Sequence, residues 1–334
     1  MTLKNEFFRF ITKKAKKVIF FKPIITQQHT HASQECAKLF TFLNRFKNQL
    51  STDLHEDLDE YQNHLLYYLA HQVHKVYLNA QFNANLLDLD ENGAVLVVDY
   101  KMKILPKSAR ETKAEFFGKK GWTLHTILMY TKKSGHQELA SSLHAVIESL
   151  ENKPKWITII SDNGPHYHNA DLMMILGNWL LWYQINVKKW IFLEAGEAKT
   201  TIDSHHAQIT HAIKRQVRLG LDIMEGADVE TAIRDIHRTS VAHLEPNRTK
   251  DQNKRAKNTL PGNSNLFEWT WPGEGSMAGY ILGREIPNVG EWTKFSPAQI
   301  SNLQKKKIKI PEPMSSTHTT PKNEWVIAMP NISD

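Results

Sequence analysis

The spacing of apolar residues changes character along the 334-residue chain. Between residues 35 and 87 apolar side chains recur every three or four positions, as at Leu39, Phe42 and Leu43, and this pattern predicts two helices. The run Ala94–Val98 is instead continuous, rich in valine and too short for a helix, and Asp99 follows it. It therefore predicts a buried strand that ends in an acid.

Strand-like and helix-like segments then alternate through the centre of the chain. Further strands are predicted at 122–130, 156–160 and 189–193, and helices at 139–150, 169–183, 203–219 and 228–239. Asn169 stands where a helix N-cap is expected. This alternation predicts an α/β fold whose sheet is at least partly parallel.

The flanking segments have different compositions and suggest separate regions. Glycine and tryptophan are frequent from Leu266 to Phe295, which favours short strands and tight turns, whereas the C-terminal tail combines lysines, prolines and Ser/Thr. The predicted organisation is a basic arm and helical lead-in at 1–88, a core at 89–240, a linker at 241–262, a small β-rich appendage at 263–304 and a mostly disordered tail at 305–334.

Composition narrows the classes of partner and compartment. Lys and Arg number 42 against 35 Asp and Glu, and the net charge of +7 modestly favours a polyanionic partner. Cys36 is the single cysteine, which excludes an intrachain disulfide and a cysteine-based zinc finger and indicates a reducing compartment. Because no stretch of about 20 apolar residues occurs, we expect no membrane span.

Three acids are predicted to meet at one edge of the sheet. Asp99 ends the first strand, Asp162 follows the third strand, and Asp203 opens the helix after the fourth. A single acid in such a place is commonly a helix cap, but three at the carboxyl ends of strands would repel one another. A divalent cation, Mg²⁺ or Mn²⁺, relieves that repulsion and can act on a phosphodiester.

Three blocks around these acids resemble those of eukaryotic DDE/D transposase-derived proteins with a ribonuclease H-like core. The blocks are Val97-Val-Asp-Tyr-Lys101, Ser161-Asp-Asn-Gly-Pro-His-Tyr-His-Asn169 and Glu194-Ala-Gly-Glu-Ala-Lys-Thr-Thr-Ile-Asp-Ser-His-His-Ala207. The resemblance implies a ribonuclease H-like mixed sheet flanked by helices, a nuclear protein, and Mg²⁺- or Mn²⁺-dependent cleavage or strand transfer of DNA. Asp99, Asp162 and Asp203 match the family's catalytic, metal-binding acids.

Several assignments within the site stay open. Glu194 or Glu197 could replace Asp203 as the third acid, and His206 is either a metal ligand or a polar residue that caps a helix and hydrogen-bonds nearby loops. A basic helix face beside the acids could hold a phosphate backbone, although solvated bases are as common. The expected nucleic-acid contacts are Lys101, His166, Lys199, Lys214, Arg215 and Arg218.

Two departures from the family pattern favour an alternative function. Only residues 132–138 separate the second predicted strand from the next helix, so one edge strand of a ribonuclease H-like sheet is missing unless 115–117 supplies it. No zinc finger or helix-turn-helix motif is recognisable ahead of the core. The alternative is a degenerate or domesticated DNA-binding protein without catalysis, and a scaffold that binds only proteins is a third hypothesis. The oligomeric state, including a homo-oligomer, stays open.

Overall fold

The computed structural model describes residues 27–108, 119, 121–132, 135–140, 143–193, 200–236, 239–245 and 258–319. Their contacts form two compact units. The first unit contains the described residues up to Ala80, which are mainly helical, together with Asn288–Glu291. The second unit contains Gln81–Pro287 and the chain from Trp292 onward. Within the described ranges, no helix combines the length and apolar composition that a membrane span requires.

Ten described strands form the mixed sheet of this α/β fold. They are β1 (Gly93–Ile104), β2 (Trp122–Thr131), β3 (Gly135–Ala140), β4 (Trp156–Asp162), β5 (Asn186–Leu193), β6 (Thr239–Glu245), β7 (Glu268–Thr270), β8 (Ile281–Arg284), β9 (Thr293–Phe295) and β10 (Ser315–His318). The strand order is β10-β6-β3-β2-β1-β4-β5-β7-β8-β9. The first three strands are antiparallel neighbours, whereas β4 is parallel to β1 and β5 is parallel to β4.

The α-helices of the described residues are α1 (Gln27–Lys47), α2 (His55–Leu87), α3 (Leu143–Ser149), α4 (Ala170–Leu176), α5 (Trp179–Tyr183), α6 (Thr200–Arg218), α7 (Gly226–Ile233) and α8 (Pro297–Leu303). One apolar cluster joins the sheet to α3, α4 and α5, with Leu96 and Trp190 among its fully buried members. A second cluster joins α6 and α7 to Ile104 and Val241. Because successive strand residues point to opposite faces, Val98 and Asp99 belong to different faces of β1.

The predicted elements of the centre are confirmed with shifted boundaries, except that the first strand does not end at Asp99, because β1 continues through this residue to Ile104. All four predicted strands are present as β1, β2, β4 and β5, and Asn169 caps α4 by accepting a 2.9 Å hydrogen bond from the amide of Leu172. The helix predicted over 169–183 is divided into α4 and α5 by Gly177 and Asn178. The two helices predicted over residues 35–87 are α1 and α2.

The expectation that an edge strand is missing is wrong. Residues Gly135–Ala140 form β3, which pairs with β2 from Thr131 to Thr126. The helix predicted over 139–150 therefore began too early in the chain, since Leu139 belongs to β3 and α3 begins at Leu143. The hydrophobic pattern of a short strand with mixed polarity cannot be distinguished from that of a loop. Such a strand is defined by the neighbouring strand with which it pairs.

The C-terminal part of the chain differs from the predicted separate linker, appendage and tail. Residues 241–245 of the expected linker belong to β6, which lies beside β3, and β7 extends the same sheet by pairing with β5. Within the expected disordered tail, Ser315–His318 forms β10 and pairs with β6. Trp269 of β7 is paired with Trp190 of β5, and both side chains are fully buried in the main apolar cluster. The arm at 1–26 and residues 320–334 lie outside the described ranges.

Candidate metal centre

Two of the predicted acids lie side by side where β1 and β4 run parallel. The last matched pair of residues on these strands is Val98 with Ser161, and Asp99 and Asp162 come next. Residues at matched positions of neighbouring strands direct their side chains to the same face. The face that carries Asp99 is the one covered by α6, which contacts β1 and β2.

Helix α6 brings Asp203 and His206 to Asp99. The two helix residues are three positions apart, which places them on one side of the helix. One ligand atom from each of Asp99, Asp203 and His206 lies within 4.8 Å of the other two. This group is near enough to hold a metal ion, and its donor set of two carboxylates and an imidazole is chemically suited to a divalent cation.

Two of these three side chains are withdrawn from solvent. Asp99 and His206 are each 8% exposed, whereas Asp203 is exposed. Nδ1 of His206 lies 3.8 Å from Oδ2 of Asp99, beyond hydrogen-bond range. Two ligands that share one ion at about 2.1 Å each can be up to about 4 Å apart, so this spacing suits a shared cation.

Thr126 holds the other side of the His206 ring. Its hydroxyl Oγ1 is 3.0 Å from Nε2 of His206, and the threonine is fully buried. Thr126 is also the residue of β2 that is paired with Asp99 of β1. The sequence-based site did not include Thr126, because the register between the two antiparallel strands is needed to place it beside the acid.

Asp162 has different partners and is not in the group of three. Its Oδ1 accepts a 3.0 Å hydrogen bond from the amide of Gly164, and Nε2 of His166 lies 3.6 Å from the same oxygen. The turn after β4 thus orients this carboxylate at the carboxyl end of the strand. His166 is half-buried against Asp162 and Tyr100, and its contact with nucleic acid stays a prediction.

Aromatic and imidazole rings pack behind the acids. Tyr167 lies 5.1 Å from Tyr100, 5.6 Å from His125 and 5.9 Å from Trp190, measured between ring centroids. Burial raises the pKa of Tyr167 far above its ordinary value, and Tyr100 and the negative charges of Asp99 and Asp162 raise it further. This phenol therefore stays neutral across the physiological pH range and supplies no base.

Tyr167→Phe should stabilise the protein slightly. In the described part of the chain the buried Tyr167 hydroxyl has no hydrogen-bond partner, and a buried polar group without one is costly. Because phenylalanine keeps the ring contacts, we expect the free energy of unfolding to rise by about 1 kcal/mol in urea denaturation. A clear loss of stability would contradict this and would mean that the hydroxyl is bonded in solution.

The remaining predicted residues divide between the surface and the part outside the described ranges. Lys214, Arg215 and Arg218 are exposed along α6. The backbone of Lys101 belongs to β1, but its side chain is not described. Glu194, Glu197 and Lys199 also lie outside the described residues, so the choice between Asp203 and either glutamate as third acid stays a prediction.

No known protein family matches the chain, and neither a curated protein nor a solved structure matches it.

Proposed function

We propose that the chain is a transposase-like polynucleotidyl transferase or nuclease that cleaves or joins DNA with the help of divalent cations, Mg²⁺ or Mn²⁺. The observation that carries this proposal is that ligand atoms of Asp99, Asp203 and His206 lie within 4.8 Å of one another. Asp162 lies nearby, because it and Asp99 directly follow the last paired residues of β4 and β1. These side chains come from three distant parts of the sequence. Asp99 lies within β1, Asp162 is the last residue of β4, and Asp203 and His206 lie in the first two turns of α6. Such convergence is typical of a site that binds a ligand.

The strand arrangement supports a ribonuclease H-like core. Three antiparallel strands, β1 to β3, precede the first helix of the sheet, and β4 and β5 are added parallel to β1 on its other side. Helices follow β3, β4 and β5, and α6 returns to contact β1, which carries Asp99, and its neighbour β2. A ribonuclease H-like sheet is expected to begin with three antiparallel strands before its first helix, and β3 is the third of these strands here.

Each acidic or imidazole side chain of the site has a proposed role. Asp99, Asp203 and His206 would hold a cation, and Asp162, one strand away, would hold the reacting phosphate region through a shared or second cation. A divalent ion there supplies positive charge that activates an attacking oxygen and stabilises the leaving oxygen of a phosphodiester. The sheet fixes Asp99 and Asp162, and burial of Asp99 and His206 limits the water that screens the charge of the Asp99 carboxylate.

The basic side of α6 is the proposed DNA surface, in keeping with a nuclear protein. Lys214 and Arg218 are four residues apart and exposed, so they share one face of the helix whose first turn carries Asp203. Phosphate contacts fix the position of a duplex without reading its sequence. This surface would therefore present DNA of any sequence to the acids.

Replacing both Lys214 and Arg218 by alanine should weaken DNA binding and its dependence on salt. Each lost phosphate contact lowers the slope of log affinity against log salt by about 0.9, so two contacts give a decrease of about 1.8. Fluorescence anisotropy over a salt series measures this slope. The matched control is Lys306→Ala with Lys307→Ala, two exposed lysines on another part of the chain, which should leave the slope unchanged. An equal decrease in both proteins would contradict the assignment.

The proposed activity is tested with purified full-length protein and supercoiled plasmid DNA. We expect nicking or joining in Mg²⁺ or Mn²⁺ and none after chelation with EDTA. Activity that persists without divalent ions would overturn the proposal, as would a lack of any cleavage or joining across metals and DNA forms.

A second candidate is a DNA-binding protein of the same descent without catalysis. Asp162 supports it, because this carboxylate is engaged by Gly164 and His166 and stands outside the group of three. This candidate predicts salt-sensitive DNA binding that is the same for the wild type and Asp162→Asn, with no cleavage by either protein.

A further inference from the structure

We propose that the metal centre selects a transition-metal ion such as Mn²⁺, Co²⁺ or Zn²⁺ over Mg²⁺, with Nδ1 of His206 as a ligand and Thr126 as the residue that orients it. The inference rests on the proposed metal site, but it concerns which ion binds, and it can be tested without DNA. Mg²⁺ prefers oxygen ligands in near-ideal octahedral geometry, whereas imidazole nitrogen suits first-row transition metals.

The position of His206 makes its nitrogen an integral part of the cluster. Within the described residues, it belongs to the group of potential ligands that lies within 4.8 Å. Its ring is nearly buried, and its Nδ1 is the atom that faces Asp99, at 3.8 Å from Oδ2. An oxygen-only site built from the same two acids would have to exclude this imidazole, and its burial leaves little room for the ring to turn away.

Thr126 determines which ring nitrogen faces the acids. With Nε2 bound at 3.0 Å to the hydroxyl of Thr126, the histidine can carry its proton on Nε2 and direct the Nδ1 lone pair to the cluster. Partners of this kind fix the tautomer and ring orientation of metal-binding histidines. Because Thr126 is paired with Asp99 in the sheet, a single strand pair positions one ligand and orients another.

The expected consequence is a measurable preference among ions. Affinity of a site with nitrogen and oxygen ligands rises from Mn²⁺ to Co²⁺ in the usual order of divalent metals, and Mg²⁺ gains little from imidazole. We therefore expect the chelator-treated, metal-free protein to bind Co²⁺ at least about tenfold more tightly than Mg²⁺. Loss of the Thr126 hydroxyl should weaken Co²⁺ binding by about 10- to 100-fold, as is usual for residues that orient a ligand.

The test is calorimetric titration of the metal-free, full-length protein with Co²⁺, Mn²⁺ and Mg²⁺, together with pulsed electron paramagnetic resonance of the Mn²⁺-loaded protein. We expect nitrogen coupling to Mn²⁺ in the wild type, and its loss in His206→Asn together with a fall in the ratio of Co²⁺ to Mg²⁺ affinity. Thr126→Val should weaken Co²⁺ binding. His211→Asn, an exposed histidine farther along α6, is the matched control and should change neither result.

The inference is overturned if wild-type protein shows no nitrogen coupling, or if it binds Mg²⁺ as tightly as Co²⁺. The wild-type spectrum decides this even if a substituted protein fails to fold. Nitrogen-bound Mn²⁺ without DNA cleavage would reject the proposed function alone, whereas cleavage with an oxygen-only Mg²⁺ site would reject this inference alone.

Discussion

We expect Asp99→Asn to slow DNA cleavage by about 10³-fold or more, since loss of one member of a cooperating catalytic set commonly costs this much. Asparagine keeps the size of the side chain but removes the negative charge that faces His206 and Asp203. The change also removes a nearly buried charge, so the metal-free fold should remain intact. Single-turnover cleavage of a labelled duplex, with circular dichroism of the same sample, measures both effects.

Asp222→Asn is the control for this substitution. Asp222 is an exposed acid in the segment between α6 and α7 and is not in the group of ligands. Its replacement should leave the cleavage rate within about twofold of the wild type, because surface substitutions of this kind have small effects. Equal losses in the two variants, or full activity of Asp99→Asn, would remove Asp99 from the reaction.

Trp190→Ala should reduce the free energy of unfolding by about 3–5 kcal/mol, a large part of the stability of an ordinary domain. The Trp190 ring is fully buried, lies 5.5 Å from the Phe192 ring, and donates a 2.8 Å hydrogen bond to Oγ of Ser161. Alanine leaves a cavity in the main apolar cluster and removes this donor from a buried hydroxyl. Urea denaturation followed by circular dichroism gives the loss.

Trp182→Ala tests whether burial is the cause. Trp182 is only partly buried at the edge of the same apolar cluster, so its replacement should cost under about 2 kcal/mol. If the two alanine substitutions destabilise the protein equally, the packing around Trp190 is not what stabilises the sheet.

The strands of the centre could be predicted from the sequence because their patterns are strong. Ala94–Val98 is a continuous apolar run, Trp156–Ile160 is interrupted only by Thr158, and every residue of both is buried in the sheet. β3 and β6 gave no such signal, since their sequences mix polar and apolar residues and are defined by the neighbours with which they pair. The short strand β7 was expected in a separate appendage because pairing with β5 is a long-range contact that local pattern does not encode.

The candidate site was predicted in part. Asp99 and Asp203 were expected to meet, and their ligand atoms lie within one group with His206. The different surroundings of Asp162 depend on how the turn at Gly164 folds back on the carboxylate, which residue spacing does not specify. Thr126 was missed for a similar reason, because only the register of β2 against β1 places its hydroxyl beside His206.

The most direct test of the account is anomalous diffraction from crystals of the full-length protein grown with Mn²⁺. We expect a manganese peak bounded by the carboxylates of Asp99 and Asp203 and by Nδ1 of His206, at ligand distances of about 2.0–2.3 Å. A manganese peak that lies elsewhere, or no peak at saturating Mn²⁺ in crystals where these three side chains are ordered, would contradict the claim that Asp99, Asp203 and His206 bind a divalent cation.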